Sequence, residues 1–269
     1  MTNAADPVPD DPAVPWVAVA AAGLLAGFTS GLFGVGGGIV VVPALTLLAR
    51  FPPKLATGTS LTAIVPISVA GAIGYATAGE VDGAVALLVA VGALAGAVIG
   101  TRWLESISVP VLQVLFAVLM LLTAVRMVTG GEADGAGRVD LGPAAIVGMV
   151  ALGLAAGILA GLFGVGGGVI IVPVLTLVFG LPLVLAKGTS LAVIIPTALM
   201  GTLRNRRSGL TALRPGLVVG LAGVASAVAA SRLSLGLDPE VSAALFAVLL
   251  VGVAVRLAAT ARRADGAGA

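Results

Sequence analysis

The sequence contains no cysteine and no histidine, and only 10% of its 269 residues are charged. Without cysteine the chain has no disulfide and no thiol nucleophile, and it offers zinc or haem neither thiolate nor imidazole ligands. A soluble domain carries roughly 25% charged residues, so these few charges cannot cover a chain of this length in water. The absences therefore argue against a disulfide-stapled secreted domain, a metal site and a soluble fold.

Hydrophobic residues make up 59% of the chain, and the mean hydropathy is +1.20. This composition predicts an all-α polytopic membrane protein whose main surrounding is the lipid bilayer. The sequence carries a net charge of +2. Its 14 Lys and Arg residues are scattered at the ends of hydrophobic runs, where they set topology, so nucleic acid is not an expected partner.

The sequence repeats itself. Residues 31–126 align with residues 161–256 without a gap, and both segments begin Gly-Leu-Phe-Gly-Val-Gly-Gly-Gly. Pro66 then pairs with Pro196, and a Gly-Thr-Ser triplet recurs at the same place in both halves. A gapless match of such residues indicates an internal duplication. The predicted organisation is a disordered tail (1–13), a first transmembrane repeat (14–128), a flexible linker (129–142), a second repeat (143–260) and a C-terminal tail (261–269).

Each repeat divides into five hydrophobic stretches. The second stretch, predicted at 37–49 and 167–180, is shorter than the roughly 20 helical residues that a membrane span requires. The first two stretches are therefore either a re-entrant hairpin with the glycine cluster at its tip or two tilted spans. The sequence leaves both open.

Charge indicates how the repeats are oriented. The loop at 79–82 has no basic residue, whereas its counterpart in the second repeat carries Arg204, Arg206, Arg207 and Arg214. Basic loops prefer the cytoplasm, so the equivalent loops are predicted on opposite sides of the membrane. The expected arrangement is an inverted-topology repeat with broken or re-entrant helices at the glycine-rich loops. A parallel arrangement is the alternative.

The glycine clusters are the first candidate site. Each precedes an apolar helix, so their N–H groups are expected to face a solute from the positive end of the helix dipole. The alternative is that these glycines only allow close helix packing. The spacing does not fit a dinucleotide-binding fingerprint, because the last glycine and a βαβ unit are both missing.

Hydroxyls, prolines and lysines follow. The Gly-Thr-Ser triplets at 58–60 and 188–190 are predicted to cap the third stretch, and their hydroxyls either serve only as caps or also contact the solute. Pro66 and Pro196 are either static kinks or hinges. Lys54 and Lys187 either attract an anion or mark the membrane interface.

No Asp, Glu or His lies within a predicted hydrophobic stretch, and Glu80, Asp82, Glu105, Asp238 and Glu240 are assigned to loops. Proton-coupled pumps usually hold an intramembrane acid or histidine, so a carboxylate relay is not expected. Transport is then uncoupled, or the solute brings its own proton, or sodium binds to backbone carbonyls. No catalytic residue, cofactor or metal is predicted.

The duplicated glycine block and the Gly-Thr-Ser triplets resemble the TauE/SafE family, the sulfite exporter or toluene-sulfonate permease group, over about 14–260. This resemblance implies a multi-pass protein of the plasma (inner) membrane that transports sulfite, a sulfonate or a related small organic anion. The resemblance places the substrate site at Gly36, Gly37, Gly38, Thr59, Ser60, Gly166, Gly167, Gly168, Thr189 and Ser190.

The leading hypothesis is thus a secondary transporter, an exporter, of a small anion held by helix N-termini. The rivals are a carrier for another small solute, a non-transporting membrane binding or assembly component, and an intramembrane enzyme. The enzyme is disfavoured because only Ser or Thr could act as nucleophile. The sequence does not indicate an oligomeric state or separate a carrier from a channel.

Overall fold

The computed structural model describes residues 15–103, 117–118, 120–122, 124–125 and 141–266, except for the side chains at 100–103 and 257–266. The predicted tail 1–13 and most of the linker lie outside these ranges, as does most of the first repeat's fifth stretch. Where the chain is described, it is helical without strands, which confirms the all-α membrane fold. The helices are α1 (Trp16–Phe33), α2 (Gly38–Leu47), α3 (Pro53–Ala76), α4 (Gly83–Trp103), α5 (Pro143–Phe163), α6 (Gly168–Leu177), α7 (Leu183–Arg207), α8 (Leu213–Gly236) and α9 (Pro239–Gly266).

The duplication is visible in the helix boundaries. α1 and α5 end at Phe33 and Phe163, and α2 and α6 begin at Gly38 and Gly168. These pairs are the same distance apart in sequence as the duplicated motifs. α1 to α4 and α5 to α8 are therefore equivalent sets of helices.

α2 and α6 settle the first alternative. Each has 10 residues, a length of about 15 Å, which is half of the hydrocarbon thickness. The C-cap of α1 is Gly34, which is left-handed with φ 73° and donates its N–H to the carbonyl of Ser30. The chain then turns back along α1, because a Cβ atom at Gly37 would lie 2.6 Å from the carbonyl oxygen of Ala26. The first two stretches are therefore not two tilted spans: α2 is too short to cross, and the glycine cluster is the tip of the hairpin that it forms with α1.

Close backbone contacts join the two repeats. Gly23, Gly27 and Gly31 recur one helical turn apart on α1, and the backbone of α8 fills the space where their side chains would be. Gly92 and Gly96 of α4 make the equivalent contact with α5. Small residues at this spacing let membrane helices approach closely. Residue numbers rise together along both partners, so α1 runs parallel to α8 and α4 runs parallel to α5.

α3 and α7 run in opposite directions. Leu191 of α7 packs on Gly71, whereas Leu61 of α3 packs on Gly201, so one residue number rises as the other falls. Because α3 and α7 are equivalent helices, the pseudo-two-fold axis that exchanges them is perpendicular to their length. Such an axis lies in the membrane plane. The repeats are inverted, as the sequence predicted.

Six helices are long and apolar enough to cross a membrane within the parts of the chain that the structure describes: α1, α3, α5, α7, α8 and α9. Their outer faces are apolar as well. The large hydrophobic side chains left exposed include Leu24, Val147, Leu199, Leu221 and Val248. Such a surface in a multi-pass protein faces lipid.

Charged side chains separate between the two ends of the helix bundle. The end where α3 begins and α7 ends carries Arg50, Lys54, Arg204, Arg206, Arg207 and Arg214, and we call it the basic end. The opposite end carries Glu80, Asp82, Asp238 and Glu240, with Arg232 nearby on α8. The assignment of Glu240 to a loop is wrong. Glu240 lies in the first turn of α9, where the positive end of the helix dipole stabilises a carboxylate. The basic end is predicted to face the cytoplasm.

Candidate functional site

The two glycine loops meet at the centre of the bundle. We call residues 34–38 tip one and residues 164–168 tip two. A Cβ atom at Gly38 would lie 2.5 Å from the carbonyl oxygen of Gly164, and one at Gly168 would lie 2.8 Å from that of Gly34. Each tip thus packs its second half against the start of the other, and only residues without side chains fit there.

Each tip also needs glycine for its backbone conformation. Gly36 and Gly37 have φ of 84° and 78°, and Gly166 and Gly167 have 83° and 81°. Left-handed conformations of this kind cost other residues roughly 1–2 kcal/mol each. Gly37 is the N-cap of α2 and Gly167 is the N-cap of α6, with no side-chain capping bond at either position.

The backbone donors of both tips are unpaired. Among the described residues, no acceptor is found for the N–H groups of residues 35–39, and none for those of 165–169. The N–H groups that follow in α2 are hydrogen-bonded, because Val40 and Val41 both donate to the carbonyl of Gly37. Most buried backbone N–H groups are paired in folded proteins. Two sets of five free donors at touching tips are therefore a polar feature that the fold itself does not satisfy.

The walls around the tips are apolar. A Cβ atom at Gly36 would lie 3.2 Å from Ile194 and 3.4 Å from Ile64, and Gly166 faces the same two isoleucines. Both isoleucines are fully buried and occupy equivalent positions in α3 and α7. An apolar wall lowers the local dielectric constant and strengthens any interaction between the free donors and an anion.

Ser60 and Ser190 hold the tips in place across the repeat boundary. The Ser60 hydroxyl lies 2.7 Å from the carbonyl oxygens of both Gly164 and Thr57, and the Ser190 hydroxyl donates to the carbonyl of Gly34 at 2.9 Å. Each serine thereby satisfies the first carbonyl of the opposite repeat's tip. Both serines therefore contact carbonyl oxygens of the predicted site.

Thr59 and Thr189, which directly precede these serines, contact other parts of the opposite repeat. The Thr59 hydroxyl accepts the N–H of Ala212 at 3.0 Å, and the Thr189 hydroxyl accepts the N–H of Asp82 at 2.9 Å. Both bonds anchor the loop before the fourth helix of the opposite repeat.

The capping role predicted for these triplets is wrong. α3 begins at Pro53, several residues before Thr59, and its N-cap Pro52 makes no side-chain capping bond. The pair Pro52 and Pro53 starts the helix instead, because proline at the first helical position loses no hydrogen bond. α7 likewise begins before its triplet, at Leu183.

The two candidate lysines occupy different environments. Lys54 is exposed in the first turn of α3 at the basic end. Lys187 is 1% exposed inside α7, and its Nζ lies 3.1 Å from the Ser234 hydroxyl and 2.7 Å from the Ser242 hydroxyl. Only Lys187 adjoins a tip, since a Cβ atom at Gly34 would lie 2.6 Å from its Cα.

Pro66 and Pro196 lie inside α3 and α7, as predicted. Pro66 packs against α8, where a Cβ atom at Gly220 would lie 2.5 Å from the proline Cγ. The hinge role stays a prediction. An apolar groove of about 340 Å³ runs beside this proline, lined by Pro66, Val69, Ala70, Ile73, Val224 and Val228.

Sequence reasoning missed several residues around the tips. Tyr75 is fully buried and donates its hydroxyl to the carbonyl of Gly31 at 2.8 Å, and Ser234 donates to the carbonyl of Leu32 at 3.1 Å. Tyr75 is the only tyrosine in the chain, a signal that could have marked it. Ile64 and Ile194 carried no signal, because isoleucine is common throughout these helices.

These features define a class: a multi-pass membrane protein with inverted repeats and broken helices that meet at the centre, the plan of many secondary transporters. The chain belongs to the sulfite exporter TauE/SafE family, whose family model matches residues 3–127 and 149–268. It is therefore a membrane transporter by family, which argues against an enzyme.

Curated relatives support this assignment. The probable membrane transporter protein YunE of Bacillus subtilis is 30% identical over 70% of this chain and 77% of its own length. A second Bacillus subtilis protein, the probable membrane transporter YdhB, is 32% identical over 66% of this chain and 73% of its own. A probable membrane transporter protein of Xylella fastidiosa is 32% identical over 70% of this chain and 73% of its own length. No solved structure matches the chain.

Proposed function

We propose that this protein is a secondary transporter of the plasma membrane that exports a small anion: sulfite, a sulfonate or a related organic anion. The anion binds beside the two touching tips, where the free N–H groups of residues 35–39 and 165–169 donate to its oxygens. Sulfite and sulfonates each present three oxygens, so one anion accepts bonds from both tips at once.

The unpaired N–H groups carry this proposal. Backbone donors at helix N-termini favour negative charge, and α2 and α6 add the positive ends of their dipoles. No carboxylate is found within hydrogen-bond distance of either tip in the described part of the chain. Free N–H groups attract an anion and repel a cation, so these donors favour an anion over a cation.

The test removes one donor from the site and leaves the glycines intact. Ile39 follows Gly38 in the first turn of α2, a position that proline tolerates, and its N–H is among the free donors. Ile39→Pro removes that N–H. Ile39→Ala, the matched control, shortens the side chain and keeps the donor. A leucine at Gly37 would be a poorer test, because its Cβ would clash with the backbone of Ala26.

Purified protein is reconstituted into liposomes loaded with sulfite, and release is followed with sulfate, a sulfonate and an organic acid as competitors. A hydrogen bond to a charged group contributes about 1.5–3 kcal/mol, so Ile39→Pro should raise the KM for sulfite roughly tenfold or more. Ile39→Ala should stay close to wild type. If saturable release is equally fast in Ile39→Pro and Ile39→Ala, the anion does not bind at the tips. Failure of folded wild-type protein to move any of these anions would refute the proposal.

A further inference from the structure

Lys187 is an unusual residue for its place in the fold. It is 1% exposed, and the partners of its amine in the described part of the chain are two neutral hydroxyls, Ser234 of α8 and Ser242 of α9. No ion pair to Lys187 is formed by any residue that the structure describes. Burying a charge without a counter-charge costs several kcal/mol.

The cluster exists in the second repeat alone. The positions equivalent to Lys187, Ser234 and Ser242 in the first repeat hold Thr57, Leu104 and Leu112. A packing requirement of the fold would apply to both repeats. The three polar residues therefore serve something that the pseudo-symmetric fold does not need.

Among the described residues, the elements next to Lys187 supply no titratable partner for its amine. α1 contributes the carbonyl of Leu32, which accepts from Ser234. α3 contributes Tyr75, whose hydroxyl donates to the carbonyl of Gly31, and the following loop contributes the backbone of Glu80, packed on Gly188.

The charged residues on α8, α9 and the α3–α4 loop lie away from the amine. Arg232 and Glu240 are exposed, Glu80 is partly exposed, and the Asp82 and Asp238 carboxylates accept N–H groups at the starts of α4 and α9.

The hydrogen bonds fit two protonation states. Ser234 uses its proton on Leu32, so it accepts from Nζ whether or not the lysine is charged. The Ser242 hydroxyl accepts from a charged lysine or donates to the lone pair of a neutral one. The amine can therefore gain or lose a proton without breaking either contact.

We infer that Lys187 carries the proton that accompanies the anion through this transporter. This inference rests on the proposed function. The backbone of Lys187 packs on Gly34, the first residue of tip one, and its Nζ is linked through the Ser234 hydroxyl to the carbonyl of Leu32, two residues before that tip. In an apolar surrounding charges interact over such a distance, so an anion at the tips supplies the counter-charge that a protonated Lys187 otherwise lacks. Anion and proton each favour binding of the other, and this coupling is reciprocal. One proton bound at Nζ balances one anion charge, and both leave together on the other side.

The test uses an anion that cannot bring its own proton. Methanesulfonate, the anion of a strong acid, is supplied outside liposomes that contain the full chain and a lumenal pH dye. We expect its entry to acidify the lumen by one proton per anion and to be insensitive to an imposed membrane potential. Arg232→Gln, which removes an exposed cation at the same end of the molecule, should behave as wild type.

Two variants separate charge from proton transfer. Arginine keeps the charge and does not release its proton in proteins, so Lys187→Arg should retain methanesulfonate exchange and lose lumenal acidification. Lys187→Met should weaken methanesulfonate binding about tenfold or more. If the methionine variant does not fold, the comparison of lumenal acidification between the wild type and Lys187→Arg still tests the inference.

Three results would overturn the inference. Methanesulfonate entry through the wild type without acidification would overturn it and leave the proposed function standing, and so would acidification that persists in Lys187→Arg. Absence of both methanesulfonate and sulfite flux in the wild type would refute the proposed function, and the inference with it.

Discussion

The glycine seam between α1 and α8 predicts what a single added methyl group does to the fold. Gly27 lies in the middle of this seam, and a Cβ atom there would meet the backbone of Gly223, coming within 2.7 Å of its carbonyl carbon, as well as the Ser226 hydroxyl. Two helix backbones cannot move apart without loosening Gly23 and Gly31 as well. Overpacking of this kind costs about 1–3 kcal/mol.

Gly27→Ala should therefore lower the midpoint of thermal unfolding by roughly 2–12 °C in a chain of this size. The matched control is Gly252→Ala in α9, where no described atom lies within 4 Å of the added Cβ. That change should be neutral or slightly stabilising, because alanine favours the helix over glycine by about 1 kcal/mol. The assay is loss of the monodisperse size-exclusion peak after heating in detergent. An unchanged midpoint for Gly27→Ala, or equal shifts in both variants, would refute the seam as the contact that joins the repeats.

Further predictions concern topology and the tips. The chain has no cysteine, so Ala78→Cys and Ser208→Cys, both exposed and at opposite ends, should react with an impermeant thiol reagent from opposite sides in cells; labelling from one side would contradict the inverted repeat. Ser190→Ala should leave the carbonyl of Gly34 unpaired and destabilise the protein by about 1–3 kcal/mol, measured as a lower unfolding midpoint. Thr29→Ala, which removes a bond within its own helix, should cost less, and equal losses would argue against a special role for the cross-repeat bond.

The class of the protein and its duplication could be predicted from the sequence because both depend on local composition. Only 10% of the residues are charged, which is too few for the surface of a soluble protein of this length. A gapless match of glycines and prolines reveals the duplication without any knowledge of packing. The inverted arrangement followed from loop charges such as Arg206 and Arg207, since the membrane acts on each loop separately.

The third helix shows where local rules gave the wrong start. A Gly-Thr-Ser triplet is a good helix cap, yet Thr59 and Ser60 lie inside α3. Their hydroxyls bind the backbone of the opposite repeat at Gly164 and Ala212, and sequence adjacency gives no information about partners more than a hundred residues away.

The two lysines separate what the sequence determined from what only the tertiary structure decided. Both lie within a few residues before the Gly-Thr-Ser triplets of equivalent helices, so local sequence makes Lys54 and Lys187 look alike. Packing makes them different: Lys187 is enclosed by α8 and α9, whose serines reach its amine, while Lys54 stays exposed. Burial is set by which helices come together, and that depends on long-range contacts such as the glycine seams.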